Sequence, residues 1–219
     1  MKRAKELRES AWEHKRGQWG LLAGIWFVYA VIVGAIGSLS ATSIIPVIGS
    51  IIVFVSSVAV LLISGPFMLG LSTATLEVSE GKHTSFNKLF SGFKQFGAAF
   101  LLMILIDIFV FLWSLLLIIP GIIKAYSYSM SWFVLADRPD LTANEARKRS
   151  MYLMKGHKWR LFCLDFSFIG WYLLSILTLG ILSFWVMPYH LTARAEFYQE
   201  LLREEKGAAN PMNAPISSN

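Results

Sequence analysis

Apolar residues run through this chain in long blocks, over 19–39, 44–71, 97–119, 121–136, 161–179 and 181–193. A bilayer core about 30 Å thick needs about 20 apolar residues per crossing helix. The blocks 19–39 and 97–119 meet that length with at most one charge, Asp107 in the second. Two kinds of connection alternate between the blocks. The stretches 1–18, 79–95, 137–160 and the region from Arg194 are basic, whereas 40–43, 120–121 and 178–180 carry no charge. Basic loops gather on the cytoplasmic side of a membrane, so each uncharged connection becomes an outer turn. The chain then reads as an all-α, polytopic membrane bundle of six spans in three hairpins, with both termini cytoplasmic. Pro120 cannot continue a helical ladder and Gly121 adds conformational freedom, which suits a tight turn there. A single kinked helix over 97–136 would be about 60 Å long, twice the hydrocarbon thickness, and is rejected. The alternative keeps four full spans and treats 121–136 and 181–193 as short, half-buried helices. Residues 1–206 form one membrane domain. Residues 207–219 are small, polar and proline-containing, the composition of a disordered tail.

The polar stretches have a pattern of their own. Phe86, Leu89, Phe90, Phe93 and Phe96 recur at i, i+3, i+4 and i+7, opposite Asn87, Lys88, Ser91, Lys94 and Gln95. This predicts an amphipathic helix on the cytoplasmic bilayer surface. Ala4, Leu7, Ala11 and Trp12 form a weaker stripe among basic residues. Thr142 and Glu145 have the spacing of a capping box opening a third such helix, with Ala143, Ala146, Ser150, Leu153 and Met154 on one face. These stripes suit either lipid or the protein's own helices. A glycine, a short basic or polar step and an aromatic residue recur before the first, third and fifth blocks, ending at Trp19, Phe96 and Trp159. Any entry into a membrane can look like this, but the recurrence also fits a parallel repeat of hairpins.

Composition sharpens the picture. The 219 residues are 55% hydrophobic and 16% charged, with a mean hydropathy of +0.55. A soluble chain would be about 25% charged. The net charge of +6 follows from cytoplasmic loops and gives no reason to invoke nucleic acid. Nineteen of the twenty Lys and Arg residues lie outside the apolar blocks, Lys124 being the exception. The basic N-terminus followed by 19–39 resembles a signal peptide, but that block exceeds the roughly 7–15 apolar residues of a signal core. An uncleaved first helix is expected. Cys163 is the single cysteine, so no intrachain disulfide can form and cysteine usage leaves the compartment open.

Polar groups inside the blocks are the candidate functional residues, because a charge in lipid must face the bundle interior or find a partner. Asp107 and His190 fall near mid-depth. Each could carry a proton or cation, or simply be hydrogen-bonded within the packing. Lys124, four residues past Pro120, is expected to reach the outer surface. Asp165 and Arg194 each lie fourteen residues from the turn at 179–180. At 1.5 Å per residue both sit about 21 Å from the outer surface and can pair near the cytoplasmic edge. Lys88, Lys94, Arg147, Lys148, Arg149, Lys155 and Lys158 are expected at the membrane surface, facing anionic headgroups. Small residues at Gly34, Gly37, Ser56, Ser57, Gly65, Gly70 and Gly170 allow close helix approach. No phosphate-binding loop, dinucleotide loop, serine-hydrolase elbow or metal-spaced Cys/His cluster occurs. No cofactor and no enzymatic activity are expected.

Four stretches resemble a known family. They are Phe111 to Met130 with its Ile-Ile-Pro-Gly core, Asn144-Glu-Ala-Arg-Lys-Arg-Ser150, Met154-Lys-Gly-His-Lys-Trp159 and Leu164-Asp-Phe-Ser-Phe-Ile-Gly-Trp171. They are similar to the signature of a bacterial membrane family catalogued as domain of unknown function 975, over residues 1–202. The resemblance implies a bacterial plasma-membrane protein, of a Gram-positive organism, and transfers no activity. More distantly, the Ile-Pro-Gly, Ala-Arg-Lys-Arg-Ser and Lys-Gly-His-Lys-Trp stretches look like the membrane domain of glycerophosphodiester phosphodiesterases, without the catalytic domain. Two functional readings follow. One is a non-enzymatic protein that organises membrane lipids or partner proteins, a second copy of itself included. The other is a small-solute or ion transporter or channel built around Asp107 and His190. An intramembrane enzyme is the least supported, since no pair of catalytic groups is visible.

Overall fold

The structure is a computed structural model that describes residues 4–15, 19–38, 46–178 and 180–208. The connection 40–43 and nearly all of the tail 207–219 lie outside those residues. Every regular element among the described residues is helical. In order they are α1 (Ala4–Lys15), α2 (Trp19–Ser38), α3 (Pro46–Ser79), a 3-10 helix (Phe86–Gln95), α4 (Phe96–Leu116), α5 (Ile118–Tyr128), α6 (Ser131–Asp137), α7 (Ala143–Leu153), α8 (Lys158–Phe166), α9 (Ile169–Leu177) and α10 (Ser183–Ala208). The helical class is as the hydrophobic pattern predicts.

Three of the expected spans have the length and apolarity of a crossing helix among the described residues. They are Val53–Ser79, Phe86–Leu116, in which the 3-10 helix runs into α4, and Lys158–Leu177, in which α8 and α9 join through a turn at Ser167–Phe168. Gly20–Ile32 is a shorter apolar helix within the first block. The other two blocks depart from the six-span expectation. Block 121–136 is divided between α5 and α6 by a break at Ser129–Met130. Block 181–193 opens a 26-residue helix, α10, that continues through Arg194 into the charged C-terminal region and ends at Ala208.

The second turn also differs. The break between α4 and α5 falls at Leu117, whose backbone is extended. Pro120 and Gly121 then sit in the first turn of α5, where a missing N–H costs no intrahelical bond. Gly121 lies against Ser114, and a Cβ there would come within 2.1 Å of its hydroxyl. The glycine's use is close approach rather than turn formation.

α3 continues past the expected end at 71 to Ser79. The hydroxyls of Ser72, Thr73, Thr75 and Ser79 bond to carbonyls of their own helix, and Ala74, Leu76 and Val78 are buried. The 3-10 helix returns along α3 at backbone contact. A Cβ on Gly70 would lie 2.0 Å from the Leu89 carbonyl, and one on Gly92 would lie 2.0 Å from the Pro66 carbonyl. Gly65 abuts the backbone of Ala99 and Phe100 in α4, and Ser64 Oγ donates to Met103 Sδ at 2.9 Å. α3 and α4 are therefore antiparallel neighbours. Gly34 and Gly170 have no such neighbour.

Burial is uneven along the helices. The larger core gathers Leu7 and Ala11 of α1, Leu76 of α3, Leu102 of α4, Phe133 to Leu135 of α6, Ala146 and Leu153 of α7, Leu161 and Leu164 of α8, and Phe197, Tyr198 and Leu201 of α10. This is the end that carries the basic residues. The N-terminal half of α3, the C-terminal half of α4, the start of α5, α9 and the start of α10 instead expose apolar side chains, from Phe54 at 71% to Leu177 at 79%. So broad an apolar band is untenable in water and suits hydrocarbon. The stripes of α1 and α7 pack onto the protein's own helices. Arg8 donates to the Ser167 carbonyl at 3.2 Å, and Tyr189 donates to the Arg8 carbonyl at 3.0 Å.

Candidate functional site

The densest polar cluster inside the apolar part of the chain centres on Asp165, near the end of α8. His190 and Arg194 stand four residues apart on α10 and share one face. Arg194 donates from Nε to Oδ1 at 3.1 Å and from Nη2 to Oδ2 at 2.5 Å. His190 Nε2 lies 2.7 Å from Oδ1, and its Nδ1 lies 2.7 Å from the hydroxyl of Tyr172 on α9. A neutral imidazole protonated on Nε2 satisfies both contacts, donating to Asp165 and accepting from Tyr172. Phe168 packs against the ring at 4.7 Å between centroids. The pairing of Asp165 with Arg194, expected from equal depth, is present. The part played by His190 and Tyr172 was not anticipated. The signal was available in the i, i+7 spacing of Asp165 and Tyr172, which puts both on one face.

Beside this cluster α3, α4, α5, α6 and α10 border an open cavity of about 710 Å³. Asp107 and Arg194 are the charged residues in its wall. Phe111, Tyr126, Tyr128, Trp132 and Phe133 supply aromatic surface. Phe111 is 69% exposed, so the cavity opens sideways, on the face where apolar side chains are bare. The break at Ser129–Met130 lies in the wall of this space, with residues of α5 and α6 on either side of it. A second cavity of about 460 Å³ lies between α3 and α4, bordered by Ser56, Ser57, Ser64, Met103 and again Asp107. Among the described residues Asp107 makes no hydrogen bond and no ion pair. His190, expected with it near mid-depth, belongs to the Asp165 cluster instead.

Lys124 sits with its Nζ 4.7 Å from the Trp113 ring, facing α4 across the Leu117 break. The basic residues expected at the membrane surface divide. Lys94, Lys148 and Lys155 are exposed, and Lys158 is half-buried. Lys88 pairs with Glu77 at 2.5 Å, and Arg149 forms a bidentate pair with Glu205. Arg147, expected at the membrane surface, is instead only 9% exposed and points inward. Its guanidinium lies 4.3 Å from the Phe109 ring, donates to Asn144 Oδ1 at 2.8 Å and reaches the Tyr128 hydroxyl at 3.4 Å. The reason is helical phase, since Arg147 is four residues past Ala143 and three before Ser150, both buried. Arg160, not singled out from the sequence, links α8 to α10 through Glu200 at 3.0 Å and Glu204 at 3.1 Å. Tyr198 donates to Asp137 at 3.0 Å, and burial, with that carboxylate beside it, pushes the phenol above its ordinary value. No group of three His, Cys, Asp or Glu side chains among the described residues is placed to hold a metal ion.

Comparison with known proteins places this arrangement in a family. A family model described as protein of unknown function (DUF975) matches residues 1–127 and 115–205. The chain belongs to this family. No curated protein and no solved structure matches it, and the likeness to the membrane domain of glycerophosphodiester phosphodiesterases is not shown. Membership brings no assigned reaction. What this family member does must be argued from its three helices long and apolar enough to cross a membrane, the Asp165 cluster and the two cavities.

Proposed function

We propose that the protein is a non-enzymatic component of a bacterial plasma membrane that organises lipid by holding an amphiphilic molecule in the larger cavity. The observation that carries this is the cavity itself. About 710 Å³ lies within the range of sites that take a drug-sized ligand, its walls are aromatic, and it opens beside side chains that face hydrocarbon. The Asp165 cluster suits a fixed, ionic joint between α8, α9 and α10 better than a reaction centre, because Arg194 and His190 both converge on one carboxylate. In this reading the basic end faces the cytoplasm, and Lys94, Lys148 and Lys155 meet anionic headgroups there. Native mass spectrometry of the full chain, purified with lipid, tests the reading. Retained amphiphile that is lost in Ala125→Phe, which fills the cavity, is the expected result. Retention unchanged by Ala125→Phe, in a variant that keeps its thermal stability, would reject it.

A second reading, transport of a small solute, is favoured by Asp107 bordering both cavities. Uptake into proteoliposomes that disappears in Asp107→Asn while amphiphile retention persists would favour transport over lipid organisation.

A further inference from the structure

We infer that the larger cavity selects an organic cation with an apolar body, a lipophilic ammonium or phosphonium, through Asp107 and the aromatic wall. This rests on the reading above that the cavity takes an amphiphile.

Charge is the first argument. Two charged side chains line the cavity, and they are not equivalent. Arg194 gives two hydrogen bonds to the two oxygens of Asp165, so its charge is matched behind the wall. Asp107 has no partner among the described residues. The uncompensated group facing the space is therefore a carboxyl. A bare carboxylate in apolar surroundings is costly, and a bound cation supplies the missing partner.

The wall decides what kind of cation. Apart from Asp107, the side-chain oxygens in the wall are neutral serine and tyrosine hydroxyls, and several of them are already tied to their own helix. Ser72 bonds to the Met68 carbonyl at 2.8 Å and Ser129 to the Tyr126 carbonyl at 2.8 Å. In the adjoining cavity Ser57 bonds to the Val53 carbonyl and Ser64 to the Leu61 carbonyl. One carboxyl among a few neutral hydroxyls is a poor site for a hard inorganic ion, which takes about six or more oxygens, several of them charged. The accessible rings of Phe111, Tyr126 and Trp132 are instead suited to a weakly hydrated organic cation, which aromatic rings attract through their negative faces. An acidic amphiphile would find its one candidate partner, Arg194, already engaged.

Two probes of the same shape and opposite charge separate these possibilities. Tetraphenylphosphonium and tetraphenylborate are each titrated against the full chain in phosphatidylcholine nanodiscs, with equilibrium dialysis as the readout. Saturable binding of the phosphonium at one site per chain, with tetraphenylborate at least tenfold weaker, is expected. Asp107→Asn should weaken phosphonium binding at least tenfold, Asp107→Glu should restore it, and Trp132→Ala should weaken it severalfold. Lys94→Gln, on the exposed face of the 3-10 helix, should leave it unchanged. Equal or tighter binding of the borate would overturn the inference, as would phosphonium binding indifferent to both Asp107→Asn and Trp132→Ala. If neutral or acidic lipid is retained in a manner sensitive to Ala125→Phe while neither probe binds, the cation inference falls and the amphiphile reading stands. If nothing is retained and neither probe binds, both fall.

Discussion

At the scale of residues, position on a helix matters more than sign of charge. Arg194 and Arg147 are both guanidiniums near the basic end, yet one is matched by a carboxylate and the other by aromatic faces and an amide. The Asp165–Arg194 pair has side chains 15% and 27% exposed, enough burial for removal of one partner to strand the other. Asp165→Asn and Arg194→Gln should each lower folded yield, and the double variant should lose less than the sum. Thermal unfolding in detergent should return a coupling of roughly 0.5–3 kcal/mol; strictly additive losses would contradict the joint described here. Arg147→Lys should lower stability by roughly 1–3 kcal/mol, since an ammonium cannot lie flat against Phe109 while also donating to Asn144. An unchanged melting temperature would show that the stack contributes nothing.

At the scale of elements, the segment Phe86–Gln95 shows how helix type re-sorts a pattern. In a 3-10 helix residues three apart eclipse. Phe86, Leu89 and Gly92 therefore form one ridge, Phe90, Phe93 and Phe96 a second, and Lys88, Ser91 and Lys94 a third. The first ridge lets Leu89 and Gly92 bury against α3, the second packs Phe90 and Phe93 on Phe67 at 5.7 and 5.1 Å, and the third stays polar. Gly92→Ala would drive a methyl into the Pro66 carbonyl and should cost about 1–3 kcal/mol or more. Gly97→Ala, at the second residue of α4 with open space around it, should be neutral or slightly stabilising. Similar melting temperatures for the two variants would contradict the contact. The capping box on α7 is as the spacing of Thr142 and Glu145 predicts. Bonds from the Thr142 backbone N–H and hydroxyl hold the Glu145 carboxyl below its ordinary value. Its contribution is therefore present above the ordinary glutamate value and lost as pH falls through the lowered one. The stability gap between the protein and Glu145→Ala should close over that acidic window, which pH-dependent thermal melts would reveal.

At the scale of the whole molecule, one end is a packed, charged core and the other a ring of bare apolar helix. A bilayer accommodates both when the basic end lies at one surface. In a Cys163→Ser background, a cysteine at Thr178 should react with an impermeant thiol reagent added outside intact cells, whereas cysteines at Lys94 or Lys148 should react only after permeabilisation. External labelling of Lys148→Cys would overturn the orientation. The cavity lies between α3, α4 and α10 with the short α5 and α6 along its side, and the exposed Phe111 marks its opening.

The helical class, the three blocks long and apolar enough to cross a membrane, the capping box and the depth match of Asp165 with Arg194 were all decided by local sequence. Each depends on spacing counted along the chain or on composition over one window, and both are visible without knowing how the helices pack. The tertiary structure alone decided the rest. Arg147 turns inward because Phe109 and Tyr128 from other helices wait there. His190 serves Asp165 rather than Asp107 because α8 and α9 bring Asp165 and Tyr172 to either side of its ring. The blocks 121–136 and 181–193 look alike in hydropathy, yet one breaks into two short helices and the other extends into a long one. Hydropathy measures affinity for lipid or core and carries no information about which neighbour fills the space, so the cavity and the lone carboxyl of Asp107 appear only once the helices are packed.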